Sequence, residues 1–190
     1  DLISNIDVSD AHPLLPGLLD FYQLYLQLIV QRQQRGSIEF ETTETRIVFG
    51  DDGKIDTIRP VVRNDAHKMI EEAMLLANVC AARYIESAKV PSLYRVHDTP
   101  DEDKINTLRE FLKAFGLSLG GKSSPTPLDY TRLLKSISQR DDAQILQTVM
   151  LRSLPQAVYL AENHGHFGLA FDGYTHFTSP IRRYPDLLVH

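Results

Sequence analysis

Residues 174–186 read Tyr174-Thr175-His176-Phe177-Thr178-Ser179-Pro180-Ile181-Arg182-Arg183-Tyr184-Pro185-Asp186, and no other stretch of this chain is as informative. Ser179 followed by Pro180 predicts an N-cap with proline at the first helical position. Arg182 and Arg183 then fall in the first helical turn, where the free N–H groups and the helix dipole disfavour cations. Because residues that break a local rule are more often functional than ordinary surface, one interpretation is that these arginines bind a phosphate.

The aromatic residues around this pair leave two interpretations open. Tyr174, Phe177 and Tyr184 are close to the arginines in sequence, as a polynucleotide-binding site requires. Alternatively, Arg182 pairs with Asp186 at i,i+4 and the aromatic rings belong to the core. The stretch alone does not decide between a polynucleotide-binding site and a structural one.

The rest of the chain predicts an α+β fold in which an antiparallel hairpin packs with several helices. Asp51-Asp52-Gly53 is the hairpin turn, and Asn64 is the N-cap of a long helix. We predict helices over residues 18–35, 64–87, 100–115, 129–138, 141–153 and from 180 onward, and extended segments over 37–49, 54–62, 91–97 and 156–160.

The long helix carries an apolar and a polar stripe at helical spacing. Its apolar positions are Ile70, Ala73, Met74, Ala77, Ala81 and Tyr84, and its second stripe is His67, Glu71, Asn78 and Ala82. The second stripe is either functional or plain solvent surface. Cys80 lies beside alanines on this helix, which predicts a core position.

Composition narrows the class of protein. The net charge of −5 argues against a nonspecific nucleic-acid coat but allows a basic channel in an acidic body. No apolar run is long enough to cross a membrane, and residues 1–4 have no signal-peptide pattern. A single cysteine fits a reducing compartment, so we expect a cytoplasmic protein. The apolar residues 187–189 at the end of the chain predict an internal fragment of a longer protein.

Several blocks of the sequence together resemble a known family. These blocks are residues 35–40, 61–67, 70–78, 165–170 and 174–190, in that order along the chain. They resemble the ribonuclease II/ribonuclease R family, whose catalytic part is the RNB domain, and the string from Arg182 is closer to ribonuclease R. The resemblance implies a processive 3′→5′ exoribonuclease that hydrolyses single-stranded RNA to nucleoside 5′-monophosphates with Mg²⁺.

The resemblance also implies roles for individual residues. Arg182 matches the family's arginine at the scissile phosphate and is the expected catalytic residue. Glu71 matches a glutamate that contacts the terminal nucleotide, where a 2′-hydroxyl is a suitable donor. Phe40 matches an aromatic that stacks on the 3′-terminal bases, although a buried position in a strand is equally compatible with its pattern.

Three further residues in the shared string, Arg183, Tyr174 and His176, are assigned to RNA binding. His176 with His164 and His166 does not have a standard zinc spacing, so turn and core roles are favoured over a metal site.

The family's cluster of closely spaced aspartates is the main departure. The pairs Asp51-Asp52 and Asp141-Asp142 have no third carboxylate nearby. We therefore expect residues 1–190 to be a single, partial RNB catalytic domain, without the Mg²⁺ ligands and without the flanking OB-like domains. Such a fragment would be inactive alone and would self-associate through exposed apolar surface. The alternative is a catalytically inactive RNB relative that binds RNA or a protein.

Overall fold

The computed structural model describes residues 13–40, 45–61 and 63–190, in which helices alternate with two small antiparallel sheets. The α+β prediction is confirmed. The elements in chain order are α1 (Leu15–Arg35), β1 (Thr45–Phe49), β2 (Ile55–Pro60), α2 (Asp65–Ala88), β3 (Tyr94–Val96), α3 (Glu102–Ala114), α4 (Pro127–Ile137), α5 (Ala143–Ser153), β4 (Val158–Leu160) and α6 (Tyr184–Val189).

The hairpin forms at the predicted turn. β1 pairs antiparallel with β2, and Gly53 adopts φ +73° in the connecting turn. The predicted strand over 37–49 is too long: residues 37–40 are not in a strand, because Ile38 N–H donates to Gly168 O at 2.8 Å instead of to β2. Residues 41–44 and 62, like the predictions made for residues 1–4, lie outside the described part of the chain.

Asn64 begins α2 as predicted. Its side chain accepts from His67 N–H at 3.0 Å, and His67 Nδ1 accepts from Asn64 N–H at 3.3 Å. This reciprocal pair satisfies two groups that would otherwise be unpaired at the helix start. The histidine occupies the position that glutamate or glutamine usually takes in such a capping box.

The buried face of α2 differs from the predicted apolar stripe. Ile70 is 55% exposed and Tyr84 75% exposed, and Cys80 is also exposed, so its predicted core position is wrong. The buried residues of α2 are Glu72, Asn78, Val79, Ala82 and Ile85. Glu72 and Asn78 tolerate burial because both have charged or hydrogen-bonding partners on other segments.

The main core lies among α3, α4 and α5. Its buried members are Ile38, Leu108, Leu112, Leu119, Tyr130, Leu133, Leu134, Ile137, Leu146 and Met150. A smaller cluster joins α2 to β3 through Ala82, Ile85, Tyr94 and Val96. Hydrogen bonds hold the segment 165–178 against α2 and β3, among them Asn78 Nδ2 to Tyr174 Oη and Arg95 N–H to Tyr174 O, each at 2.8 Å. Among the described residues, no helix combines the length and the apolar content that a membrane span needs.

Candidate functional site

The turn that carries Arg182 precedes the last helix. α6 begins at Tyr184, with Arg183 as an extended N-cap (φ −130°, ψ 118°), so the predicted helix start at Ser179-Pro180 is wrong. Residues 180–182 form a separate turn in which the N–H groups of Arg182 and Arg183 both donate to Ser179 O, at 3.2 and 3.1 Å. The two arginines therefore lie before the helix, in backbone whose shape Asp186 helps to fix.

Asp186 is the fully buried anchor of this turn. Its Oδ1 accepts from Ser179 N–H at 2.8 Å, and its two oxygens accept from Arg183 Nη2 and Nε at 2.7 and 2.8 Å. Burial alone would raise the pKa of the Asp186 carboxyl, but the hydrogen bonds from Arg183 and Ser179 outweigh it and hold that pKa below 3.8. The carboxylate is therefore ionised at neutral pH.

Arg183 therefore forms a salt bridge within the chain, with Asp186. Its side chain is 22% exposed and makes a bidentate pair with the buried Asp186. The i,i+4 pair suggested for Arg182 is wrong, because the arginine that bonds Asp186 is three residues away. Arg183 therefore already has a carboxylate partner within the chain, and its assignment to RNA binding stays a prediction.

Arg182 is placed differently. It is exposed, and its side chain makes no hydrogen bond or ion pair with any residue in the described ranges. The neighbouring Ile181 is 97% exposed, and its N–H has no acceptor among those residues either. A guanidinium without a carboxylate partner keeps its full fork of donors for an external anion such as a phosphate.

Asn78 holds the segment that leads into the turn. It is 3% exposed; its Nδ2 donates to Tyr174 Oη at 2.8 Å, and its Oδ1 accepts from Phe177 N–H at 3.0 Å and Thr178 N–H at 3.2 Å. Sequence reasoning placed Asn78 on the polar stripe of α2 but gave it no role. Its neighbour in that stripe, Ala82, is also buried.

Tyr174 belongs to the interior. It is 5% exposed, and its ring stacks on Phe171 with the centroids 5.9 Å apart. Burial, as the main cause, raises the pKa of the Tyr174 hydroxyl. This burial fits the core interpretation of the ring, and the assignment of Tyr174 to RNA binding stays a prediction.

His176 lies half-buried behind the turn. Its Nδ1 is 2.6 Å from Tyr159 Oη, and its ring meets Tyr174 edge-on. Burial and then the positive charge of Arg183 lower the pKa of His176 to about 4. A neutral imidazole bonded to a tyrosine contributes to packing behind the turn and is a weak partner for phosphate.

Two other histidines lie close together, one after β3 and one in the segment that leads toward the turn. His97 and His166 have ring centroids 5.0 Å apart. Gly168 N–H donates to His97 Nδ1 at 2.8 Å, so His97 Nε2 carries the proton and donates to Pro155 O at 2.8 Å. Burial, followed by the proximity of His97, lowers the pKa of His166 to about 3.

We expect acid to destabilise the chain through His166. A folded-state pKa of about 3 against an ordinary 6.5 means that the unfolded chain binds the proton first. The stability that the neutral ring contributes is complete above pH 6.5 and is lost as the pH falls toward 3. Denaturant unfolding of wild type and His166→Asn, measured between pH 8 and pH 4, should show a shallower acid loss for the variant.

The comparison at pH 8 isolates the packing effect of that substitution, because both side chains are neutral there. Asparagine keeps an acceptor near the position of Nδ1, which receives Leu169 N–H at 3.2 Å. Parallel stability curves for the two proteins from pH 8 to pH 4 would refute the assignment of the acid loss to His166.

Glu71 lies in a network of charges that joins α1 to α2. Its carboxylate pairs with Arg63 and, at 3.2 Å, with Arg32 Nη1. Arg32 also pairs with the buried Glu72 and, at 3.5 Å, with Glu39. Glu71 remains 33% exposed, so one side of the carboxylate faces solvent, while two guanidinium groups that it shares with Glu39 and Glu72 offset part of its charge.

The two neighbouring guanidinium groups weaken the repulsion that an isolated carboxylate at position 71 would exert on phosphates. Sequence reasoning missed Arg32, Arg63 and Glu72. The only available signal was the adjacent pair Glu71-Glu72 in one helix, which needs cations from elsewhere.

Phe40 is partly buried and packs against the core of α3–α5. The segment leading to it is fixed by Gly36, whose φ of +78° and close approach to Leu128 exclude a side chain. Thr131 Oγ1 donates to Gly36 O at 3.0 Å. The buried alternative for Phe40 therefore holds in part, although the residue is not in a strand.

His164 is half-exposed, between Asp98 at 3.5 Å and Glu162 at 3.5 Å. In the described part of the chain, no three His, Cys, Asp or Glu side chains come together as a metal site would require. The described residues therefore do not form a Mg²⁺ site among themselves.

Several known proteins are similar to this chain in sequence or in fold. Ribonuclease R of Vibrio cholerae serotype O1 is 53% identical over 177 residues, which are 93% of this chain and 22% of that protein. Mycoplasma genitalium RNase R in complex with double-stranded RNA has a TM-score of 0.89 at 30% identity, over 95% of this chain and 33% of that one.

A third similar structure is yeast Ssd1, a pseudonuclease, with a TM-score of 0.59 at 26% identity over 68% of this chain and 16% of that one. The chain spans about a fifth of the length of the curated relatives it matches. The RNB domain model matches residues 1–190 in full. On that match, this chain belongs to the RNB domain family.

Proposed function

We propose that this chain is part of a processive 3′→5′ exoribonuclease that hydrolyses single-stranded RNA to nucleoside 5′-monophosphates. The exposed and unpaired Arg182 is the observation that carries the proposal. It is supported by relatives named ribonuclease R and by solved complexes of Mycoplasma genitalium RNase R with single-stranded and double-stranded RNA.

Arg182 has the chemistry for the bond-breaking step. Phosphodiester hydrolysis builds negative charge on the phosphate oxygens, and a guanidinium binds two such oxygens at once. Since no carboxylate among the described residues competes for it, the arginine can meet this charge without first breaking an internal ion pair. The Mg²⁺ of the proposed reaction would be held by residues other than those described.

The assay for this function uses the full-length protein that contains this chain. A single-stranded RNA labelled at its 5′ end should shorten from the 3′ end and release 5′-monophosphates, and chelation of divalent metal should stop the reaction. The isolated 190-residue chain should release none. Cleavage inside the strand, or release from the 5′ end, would refute the proposed direction.

Glu71 is proposed to select RNA over DNA by accepting a hydrogen bond from a 2′-hydroxyl. Glu71→Ala should lower the ratio of RNA turnover to DNA turnover by about 10- to 100-fold, which is the change expected from the loss of one hydrogen bond to a charged group. Turnover of matched RNA and DNA oligomers measures this ratio. Glu110→Ala, which removes an exposed carboxylate on α3, is the control and should leave the ratio unchanged.

A protein that binds RNA without cleaving it is the second candidate, and the similarity to the pseudonuclease Ssd1 favours it. The two functions differ in one measurement. A full-length protein that binds a labelled single strand but releases no nucleotide over hours in Mg²⁺ would be the binding protein.

We also propose that the isolated chain self-associates. Exposed apolar side chains include Leu14, Leu18, Val30, Ile47, Phe49, Ile55, Ile58, Ile70, Tyr84, Ile181 and Leu187. Surfaces of this kind drive association when nothing covers them. Light scattering coupled to gel filtration should give a mass above 21.6 kDa that falls on dilution, and a monomer at every concentration would exclude it.

The exposed Cys80 fits a reducing compartment such as the cytoplasm, where it would stay a free thiol.

A further inference from the structure

The backbone before the Arg182 turn is held from two sides. Three consecutive N–H groups, those of Phe177, Thr178 and Ser179, donate to buried side-chain oxygens. The first two go to Asn78 Oδ1 on α2, and the third goes to Asp186 Oδ1 on α6. Both acceptors are nearly or fully inaccessible to solvent, at 3% and 0% exposure.

Nearly every backbone donor of the turn is accounted for. Pro180 has no N–H, and the N–H groups of Arg182 and Arg183 are used by Ser179 O. Within the described residues, the N–H of Ile181 and the guanidinium of Arg182 are left without an acceptor, and so is the hydroxyl of Thr178, which is buried. Ile181 and Arg182 are exposed, so they are where the turn can receive an anion, while Asn78 and Asp186 fix its shape from the buried side.

The side chain of Asn78 is the part of this arrangement that comes from a distant element. Asn78 is 99 residues from Phe177 in sequence, and its Nδ2 is itself fixed by Tyr174 Oη. An amide held at both ends cannot rotate, so its Oδ1 defines where Phe177 and Thr178 lie relative to α2. Because Asn78 is buried, its side chain does not contact a substrate, and any effect that it has on a reaction must act through the turn.

We infer that Asn78 is a positioning residue, which fixes Arg182 at the reacting phosphate through the backbone of residues 177–179. The inference rests on the proposed function, since it gives Asn78 a part in the same reaction. Loss of its side chain leaves two buried N–H groups unpaired and lets the turn shift. A shift of about 1 Å at a reacting centre lowers rate about 100-fold, while binding along the rest of the strand is kept.

A double-mutant cycle in the full-length protein tests this inference. Asn78→Ala should lower kcat about 10- to 100-fold and change KM by less than about threefold. In an Arg182→Ala background, where nothing remains to be positioned, the same change should lower the residual kcat by less than about threefold. Single-turnover assays with long incubations measure that residual rate.

Two controls separate positioning from general loss of stability. Val79→Ala, at the adjacent buried position of α2, removes packing without touching the turn and should leave kcat within about threefold. Asn78→Asp keeps an oxygen for both N–H groups and can accept from the Tyr174 hydroxyl, so its kcat should stay within about threefold of wild type. This variant tests the inference even where the alanine variant does not fold.

Equal losses of kcat from Asn78→Ala in both backgrounds would overturn the inference and leave the proposed function standing. A kcat for Asn78→Asp as low as that of the alanine variant would also overturn it. Failure of the wild-type protein to degrade RNA would instead remove the proposed function. Hydrogen exchange should be faster at residues 177–178 in Asn78→Ala than in Val79→Ala, and equal exchange in both would count against positioning.

Discussion

Arg182→Lys should lower kcat about 10²- to 10³-fold in the full-length protein while the affinity for single-stranded RNA stays within about threefold. Lysine keeps the positive charge but cannot bind two phosphate oxygens in one plane. One hydrogen bond from position 182 is enough to bind the phosphate in the ground state. The extra negative charge that develops during cleavage is stabilised by two hydrogen bonds, which only arginine can donate together. Single-turnover rates and equilibrium binding to a non-cleavable strand measure the two effects separately.

The matched control is Arg132→Lys, at an arginine of α4 whose side chain is 74% exposed beside Asp129. It makes the same chemical change away from the turn and should alter neither rate nor affinity. If Arg182→Lys reduced affinity as much as turnover, Arg182 would only bind RNA and would have no special part in the reaction.

The elements that could be predicted are those whose causes lie within a few residues. The turn at Asp51-Asp52-Gly53 depends on a glycine at positive φ, and the start of α2 depends on Asn64 and His67, three residues apart. Local chemistry of this kind is visible in a single sequence.

The elements that were predicted wrongly have distant causes. α6 begins late because Asp186 holds Ser179 and Arg183 from inside. Residues 37–40 leave the hairpin because Ile38 pairs with Gly168, 130 positions along the chain. Helical periodicity gives the stripes of α2 but does not say which face of the helix meets a partner, and none of the buried residues of α2 belongs to the predicted apolar stripe.

The same limit applies to the site. The string around Arg182 pointed to the right turn, but two adjacent arginines look alike in sequence. Only the fold shows that Arg183 forms a salt bridge with Asp186, whereas Arg182 has no partner among the described residues. Asn78 could not be singled out, because its partners are about 100 residues away.

Asp186→Ala should lower the free energy of unfolding by about 3–5 kcal/mol, because it leaves the Arg183 guanidinium without its buried counter-ion. Ser179 N–H loses its acceptor in the same step. Denaturant unfolding of the 190-residue chain at pH 7 measures the loss. Since the pKa of Asp186 is held below 3.8 by Arg183, the difference from wild type should persist at neutral pH and shrink as the pH falls below about 4.

Removing both charges tests the origin of that loss. Asp186→Leu combined with Arg183→Met should recover most of the stability, because a buried ion pair replaced by apolar groups of similar volume is often neutral. Turnover should not recover with it, since Ser179 N–H still lacks the oxygen that shapes the turn before Arg182. A double variant as unstable as Asp186→Ala would mean that packing around position 186, rather than an unpaired guanidinium, explains the destabilisation.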